Sequence, residues 1–426
     1  AATAFNRARV IGGCSAHNGC VALAGHRRDY DHWAELGNPG WEYDAVAPAF
    51  ERARRRLRVR IPGDDEMTPY QAAFVAAAAA AGIPRVANLD EPDDDTGVGV
   101  SPANIAEGVR WNTAFAYLDP VRSRPNLTVR GGALVDRVIV EGGRAGAVEA
   151  IVDGRREVLR AGRIVLAAGA YGSPAILLRS GIGPAAELRG LGIAPVHDLP
   201  GVGRGLTDHP TTYLVFRGSA ALNAAMAGFT GWLPDEQTLL KARSSRCREA
   251  FDLHLYAVSG RDETTGQPYY VVDISCVAPR SFGSLRLASA EPGAAPLIDH
   301  GYLSDPEGSD AAVLADGVEL ARAIAGNAPL ANLLLEEVRL GSGPKARGEI
   351  ADFVRRTIGI YYHPACSCRM GPTSDPLAVV DAGGRVHGLD NLFVCDASIF
   401  PVIMRANTNL PAAMLAEQLA ESIGLF

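Results

Sequence analysis

Lysine is almost absent from this chain, and long apolar runs are missing too. Of its 426 residues only Lys241 and Lys345 are lysines, so arginine carries nearly all the positive charge. The formal net charge of -7 argues against a nucleic-acid partner, because binding to phosphate backbones needs an excess of Lys and Arg. No apolar run reaches the ~18 residues that a membrane-spanning helix requires. The sequence therefore predicts a protein with neither a nucleic-acid partner nor a membrane span.

The cysteines do not have the spacing of a disulfide framework or of a metal site. The seven cysteines are an odd number at scattered positions: Cys14, Cys20, Cys247, Cys276, Cys366, Cys368 and Cys395. Cys366 and Cys368 stand one residue apart, but His363 is the only other potential ligand near them, which argues against a zinc site. We therefore predict no metal. An odd number of cysteines at scattered spacings is most simply explained by a reducing compartment, so we expect a cytoplasmic location.

The hydrophobic content of 47% is sufficient for a large core, and the length suits about two domains. In the first half, Gly142-Gly143 joins two alternating segments, and a continuous apolar segment precedes a glycine turn, as in a buried parallel strand followed by a helix. The predicted strands are 127–129, 135–140, 147–152 and 164–168, and the helix is 174–180.

The second half has strands of a different kind. Polar loops alternate with strand-like segments at 251–256, 269–277, 283–287 and 296–299, a pattern that favours an antiparallel sheet. Apolar periodicity and the Ala76–Ala81 run predict helices at 70–82, 310–325, 347–357 and 410–423.

Two residues near the C-terminus suggest the chemistry. His363 lies in Tyr361-Tyr362-His363-Pro364, and Asn407 lies in Ala406-Asn407-Thr408-Asn409-Leu410-Pro411. A histidine with a pKa near neutrality can remove the proton of a hydroxyl group, and an amide N–H can hold the resulting alkoxide. Alone, each has a structural alternative, since a single loop histidine is more often a hydrogen-bonded structural residue.

The flanking sequence removes that ambiguity. Four blocks, in order, resemble the glucose-methanol-choline (GMC) oxidoreductases, including choline oxidase-like and hydroxymethylfurfural oxidase-like motifs. These blocks are Arg9–Cys20, Gly169–Gly183, Pro200–His209, and His363–Gly371 with its continuation through Leu392–Ser398 to Glu417.

The resemblance implies an α/β fold (α+β overall) with a doubly wound FAD-binding sheet and an antiparallel-sheet substrate domain. It places the discontinuous FAD-binding domain at 1–45, 125–212 and 379–426, and the substrate-binding domain at 46–124 and 213–378. The family's opening Gly-rich βαβ unit, which binds the FAD pyrophosphate, is absent from the sequence. We favour a missing N-terminal segment over loss of the unit, because a half-built sheet would expose an unpaired edge.

The resemblance also implies residue roles. His363 is the catalytic base, and Asn407 stands where many members have a second histidine. The residues implied to contact FAD are Gly13, His17, Asn18, Gly19, Cys20, Val21, Val135, Asp396, Ala397 and Thr408. His17 matches the histidine that joins the flavin covalently in choline oxidase, so FAD is either linked through His17 or dissociable. For Val135, an ordinary strand valine is the alternative.

The implied function is FAD-dependent oxidation of an alcohol to an aldehyde or ketone, with hydride transfer to the flavin. The electron acceptor is O2 or another carrier, and the sequence fixes neither this acceptor, nor the particular alcohol, nor the oligomeric state. A small aromatic or aliphatic primary alcohol is the first expectation. Two alternatives remain: a flavin-containing hydroxynitrile lyase on the same fold, and an inactive remnant without its dinucleotide site.

Overall fold

A computed structural model describes residues 5–231 and 237–424. Within them the α-helices are α1 (Arg27–Glu35), α2 (Tyr43–Arg56), α3 (Pro69–Ala80), α4 (Gly169–Arg179), α5 (Ala185–Gly190), α6 (Ala220–Gly228), α7 (Ser309–Ala325), α8 (Arg347–Thr357) and α9 (Asn409–Ser422).

The strands of the same residues fall into six sheets. They are β1 (Gly97–Val100), β2 (Ile105–Ala106), β3 (Val109–Arg110), β4 (Ala133–Glu141), β5 (Arg144–Val152), β6 (Arg155–Arg160), β7 (Ile164–Leu166), β8 (Ile182–Gly183), β9 (His197–Asp198), β10 (Arg204–Leu206), β11 (Pro210–Gly218), β12 (Thr238–Ala242), β13 (Leu253–Arg261), β14 (Pro268–Cys276), β15 (Gly283–Arg286), β16 (Leu297–Asp299), β17 (Leu334–Glu337), β18 (Gly359–Ile360) and β19 (Leu392–Val394).

The largest sheet is antiparallel, as the sequence predicted. Its strand order is β1-β12-β13-β14-β11-β17, and β18 pairs with β11. The two long strands β13 and β14 pair without interruption from Leu253–Cys276 to Arg261–Pro268. Because side chains alternate between the two faces of a strand, this register fixes which residues face the helices and which face the rest of the molecule.

One face of this sheet packs on helices α3 and α7. Leu253, Leu255 and Ala257 are buried in that core together with Phe74 and Val318. The opposite face carries Tyr256 and Val258, which belong to a second and larger core. The antiparallel sheet therefore separates a helical layer from the other half of the chain.

The second core surrounds a short parallel pair, β7 and β19, with Leu392 opposite Ile164 and Val394 opposite Leu166. Beside it, β4, β5 and β6 form a meander, in which Gly142 and Gly143 make the predicted turn with φ of 57° and 80°. In the described residues the parallel pair and the meander are separate sheets of two and three strands.

Helix α4 begins at Gly169, five residues before the predicted start at Pro174. A proline lacks the N–H that would bond the carbonyl four residues earlier, which here is that of Ala170. The hydroxyl of Ser367 donates to this carbonyl at 2.6 Å. A side chain distant in sequence thus supplies the missing hydrogen bond, and the proline lies inside the helix.

The strand predicted at 127–129 was wrong. The backbone N–H of Leu127 donates to the carbonyl of Arg124 in a turn, and Thr128 and Val129 are exposed. Apolar alternation alone does not make a strand where no neighbouring strand is available for pairing. Among the described residues, no helix is long and apolar enough to cross a membrane.

Truncating the helix-side core should destabilise the fold. Replacing the fully buried Leu255 with Ala should lower the free energy of unfolding by about 2–5 kcal/mol, because the loss combines transfer and cavity costs. Leu335→Ala is the control, since Leu335 is 70% exposed and should change stability by less than about 0.5 kcal/mol. Urea unfolding of both variants checks this, and equal midpoints would contradict the assigned core.

Candidate active site

His363 lies buried just beyond strand β18, on a segment held by a carboxylate from another part of the chain. Its backbone N–H donates to Asp208 Oδ1 at 2.9 Å, and the same oxygen accepts the N–H of His209 at 2.8 Å. The second oxygen of Asp208 accepts the hydroxyl of Tyr302 at 2.9 Å. Burial raises the pKa of Asp208 to about 6, partly offset by these donors. Asp208 therefore fixes the spacing between the two histidines.

The imidazoles of His209 and His363 face each other through their Nδ1 atoms, 3.0 Å apart. Nε2 of His209 lies 3.1 Å from the carbonyl oxygen of Met404, which can only accept a proton. His209 therefore carries its proton on Nε2 and accepts at Nδ1. It follows that His363 donates from Nδ1, which leaves an unprotonated lone pair on its Nε2.

Asn407 lies beside that lone pair. Its Nδ2 is 3.3 Å from Nε2 of His363, and its Oδ1 accepts the hydroxyl of Tyr256 at 2.9 Å. The tyrosine bond sets the amide so that its N–H groups, rather than its oxygen, face His363. The structure thus brings the two residues together, with a lone pair and a hydrogen-bond donor directed at the same place.

Burial keeps these imidazoles neutral. The pKa of His363 is lowered well below its ordinary value, first by desolvation and then by the neighbouring His209, His254 and Arg7. Burial lowers the pKa of His209 to about 3. A neutral His363 can accept a proton across the physiological pH range.

The predicted flavin-contacting segment lies at a second place. Gly13 opens a short 3₁₀ helix with φ of 55°, and an added Cβ there would meet nothing within 4 Å. Further along, Asn18 Oδ1 accepts the N–H of Cys20 at 3.1 Å. The carbonyl of Val21 accepts Nδ2 of Asn409 at 3.1 Å, which ties the segment to helix α9. Gly19 lies between these anchored residues.

Asp396 joins the parallel pair to helix α4. It lies two residues after the end of β19, and its Oδ2 accepts the N–H of Gly169 at 2.9 Å and the hydroxyl of Ser173 at 2.5 Å. The carbonyl of Ala397 accepts the N–H of Cys366 at 3.1 Å, close to the histidine loop. Thr408 is the residue before α9 and follows Asn407 directly. Ala397 therefore contacts the loop that carries His363, and Thr408 lies next to Asn407 in the chain.

Two predicted residues lie apart from that group. Val135 lies on the β4–β6 meander, where its carbonyl meets the guanidinium of Arg179 at 3.5 Å. His17 is exposed at the end of the 3₁₀ helix, and its ring makes no hydrogen bond to the described chain.

These surroundings suit a dinucleotide cofactor. Strand β7 is buried, yet Ala167 and Ala168 just past its carboxyl end are exposed, next to the start of α4. Val10 and Ile11 are also exposed, at 57% and 46%. Small and apolar residues left open at a strand end and a helix amino terminus provide the surface on which such cofactors lie. Among the described residues no group of His, Cys, Asp or Glu could hold a metal ion.

Comparison with family models identifies the class. The amino-terminal model of the GMC oxidoreductases matches residues 1–211, and the carboxy-terminal model matches residues 279–416. The chain belongs to the GMC oxidoreductase family. It is an FAD-dependent oxidoreductase that oxidises alcohols, which confirms the fold class, cofactor and reaction expected from the sequence.

Individual relatives agree with this membership. Mitochondrial choline dehydrogenase of Mus musculus is 35% identical, over 98% of this chain and 75% of the relative. Oxygen-dependent choline dehydrogenase of Photobacterium profundum is 32% identical, over 98% of this chain and 79% of the relative. Among solved structures, pyridoxine 4-oxidase from Mesorbium loti is 29% identical with a TM-score of 0.89, covering 99% of this chain and 85% of that one.

Five residues of the hydrogen-bonded network were not predicted as site residues: Asp208, His209, Tyr256, Tyr302 and Met404. The Asp208-His209 pair stood in a block that resembles the family, and that block was the available signal. Tyr256 gave no signal, because a tyrosine in a strand is ordinary. Its hydrogen bond to Asn407 depends on the packing of β13 against the loop before α9, which no local sequence pattern shows.

Removing the hydroxyl of Tyr256 should loosen Asn407 without unfolding the site. Tyr256→Phe should slow alcohol-dependent flavin reduction about 10-fold, the equivalent of one hydrogen bond. Tyr70→Phe is the matched control, because this buried tyrosine donates to the Val271 carbonyl at 3.0 Å in the other core. Stopped-flow absorbance measures both, and equal rates in the two variants would show that the Tyr256 bond does not orient Asn407.

Proposed function

We propose that His363 and Asn407 are the catalytic residues of this oxidoreductase. The observation that carries this proposal is the 3.3 Å approach of Asn407 Nδ2 to the lone pair on His363 Nε2. A substrate hydroxyl placed between them donates its hydrogen to Nε2 and accepts a hydrogen bond from Nδ2. The proton then moves to Nε2, and Asn407 stabilises the negative charge left on the oxygen.

FAD, when bound, supplies the acceptor for the hydride that leaves the carbon. The protein's contribution lies in holding the proton. As Nε2 gains it, Nδ1–H of His363 already donates to His209, whose Nε2–H donates to Met404. This chain of donors stabilises the positive charge of the imidazolium. Asn407 cannot accept a proton, so His363 acts as the sole base.

The FAD-contacting residues form the second part of the proposal. Asn18 accepts the N–H of Cys20, and the carbonyl of Val21 accepts a hydrogen bond from Asn409 of α9. Asp396 accepts the N–H of Gly169 at the start of α4. We assign to the cofactor Gly13, His17, Asn18, Gly19, Cys20, Val21, Val135, Asp396, Ala397 and Thr408. The domain boundaries given above and the cytoplasmic location stay predictions, as does the choice between O2 and another electron acceptor.

Removing the base should stop the chemistry and spare the fold. His363→Ala should lower the rate of flavin reduction by an alcohol about 10²-fold or more, the usual contribution of a general base. FAD absorbance should persist, because His363 does not lie in the cofactor-contacting segment. His32→Ala is the control, since His32 is exposed on α1 and pairs with Glu35.

Flavin bleaching by an alcohol also separates oxidation from a hydroxynitrile lyase, which does not reduce its flavin in turnover. An unchanged reduction rate in His363→Ala would remove His363 from the role of base. A protein that binds FAD but bleaches with no alcohol would contradict the proposal.

We further propose that His17 is the point of covalent FAD attachment. Its ring is exposed and free of hydrogen bonds to the described chain, beside the open Gly13. After acid precipitation, flavin should stay with the wild-type polypeptide and appear in the supernatant of His17→Ala. Intact mass measures the same difference. Free flavin released from the wild type would show a dissociable cofactor, and His32→Ala again controls for loss of an exposed histidine.

A further inference from the structure

One short stretch of chain, the 404–407 segment, carries both ends of the hydrogen-bonded chain at the site. The carbonyl of Met404 accepts from Nε2 of His209. Three residues later, Nδ2 of Asn407 lies 3.3 Å from Nε2 of His363. A displacement of this segment would therefore move two groups together: the acceptor that orients the first imidazole and the donor that faces the second.

Arg405 joins the 404–407 segment to helix α1. Its backbone N–H donates to Oδ2 of Asp29 at 3.0 Å, and its guanidinium pairs with Oδ1 of the same carboxylate. Nε of Arg405 donates to the carbonyl of Phe251 at 2.7 Å, two residues before β13, the strand that carries Tyr256. One arginine thus connects the segment with α1, through backbone and side chain, and with the chain that enters β13.

The Asp29 carboxylate is itself held at the start of α1. Its Oδ2 also accepts the backbone N–H of His26, the residue before the helix, at 3.2 Å. The first turn of a helix favours a carboxylate, because its N–H groups lack partners and its dipole is positive there. Further along α1, Nε1 of Trp33 donates to the carbonyl of Val402 at 2.9 Å. Helix α1 therefore contacts the chain at residue 402 and again at residue 405.

The chain ahead of α1 lies against the same segment. Gly25 has φ of 100°, and an added Cβ there would lie 3.4 Å from the Cβ of Ala406 and from Oδ2 of Asp29. Met404 and Ala406 are fully buried. Packing therefore encloses the segment, and the charged hydrogen bonds between Arg405 and Asp29, which are stronger than neutral ones, fix its position against α1.

We propose that Asp29 and Arg405 are positioning residues of the oxidation, which hold the 404–407 segment in place against the two imidazoles. The proposal rests on the function proposed above, because the position of the segment affects the rate only if His363 is the base. With the Met404 carbonyl displaced, nothing would confine the proton of His209 to Nε2, and both tautomers of the imidazole pair would become accessible.

Removing the charge of Asp29 tests the proposal. The amide of Asp29→Asn keeps one oxygen for the backbone N–H groups and turns an N–H₂ group toward the guanidinium of Arg405, where both are donors. The rate of flavin reduction at saturating alcohol, per bound flavin, should fall about 10- to 100-fold, as expected for a misplaced catalytic group. KM should stay within about 3-fold, because the lost interaction belongs to the transition state. Stopped-flow absorbance measures both.

A second buried ion pair supplies the matched control. Arg322 of α7 pairs with Glu337 of β17 at 3.0 Å, and their side chains are 18% and 6% exposed. The corresponding values for Arg405 and Asp29 are 18% and 5%. Arg322 also donates to a backbone carbonyl, that of Gly343. Glu337→Gln should lower the unfolding temperature by a similar amount to Asp29→Asn and leave flavin reduction unchanged.

Histidine tautomers give a readout that needs no turnover. Nitrogen NMR of isotope-labelled histidine distinguishes a protonated ring nitrogen from a bare one, and the spectrum of His363→Ala identifies the signals of His363. The wild type and Glu337→Gln should carry the proton of His363 on Nδ1, whereas Asp29→Asn should show both tautomers. If Asp29→Asn does not fold, adding Arg405→Gln removes both charges, so that neither is buried alone, and the same losses are expected.

A reduction rate in Asp29→Asn equal to that of Glu337→Gln, with the wild-type tautomer, would overturn the proposal and leave the ion pair as a structural one. A loss of rate with the wild-type tautomer would overturn the part of the proposal that acts through Met404. Mixed tautomers with an unchanged reduction rate would keep Asp29 and Arg405 as positioning residues and contradict the proposed role of His363 as the base.

Discussion

The active site depends on the direction of one proton between two buried imidazoles. Because the Met404 carbonyl can only accept, His209 must present its bare Nδ1 to His363, and the lone pair of His363 must then face Asn407. Reversing any donor in this chain would put two donors or two lone pairs together in a buried space, which is costly. The chain of bonds thus selects one protonation pattern, and that pattern leaves Nε2 of His363 unprotonated, as the proposed base requires.

This constraint explains why several distant segments converge. The Asp208 carboxylate comes from the connection between β10 and β11 and holds the backbone of both histidines, while Tyr256 comes from β13 and holds Asn407. One side chain, Asp208, therefore supports the two histidines, and another, Tyr256, supports Asn407. The core around the parallel pair positions the loops through Asp396 and Ala397, and the antiparallel sheet positions the tyrosine. A shift of one residue in the β13 register would turn Tyr256 into the helix-side core.

Sequence patterns predicted the regular elements well, because β13, β14, α7 and α8 have clear periodicity and burial. They failed at 127–129, where alternation occurs on an exposed segment, and at Pro174, where Ser367 supplies the bond that the proline cannot make. The same limit applies to the site. His363 and Asn407 lie in motifs with chemical meaning, whereas Tyr256 reaches Asn407 only through the packing of β13, which no local pattern specifies.

The charges at the site explain why one neutral base suffices. Burial keeps His363 and His209 uncharged, and Asn407 offers the substrate oxygen only a dipole. A free alkoxide beside an imidazolium would be a buried ion pair with a large desolvation cost. In the proposed mechanism, the bond from Nδ1–H of His363 to His209 and the amide of Asn407 offset part of that cost. Burial lowers the pKa of His363 and so makes the imidazolium costly, and the proposed proton transfer therefore depends on both of these hydrogen bonds.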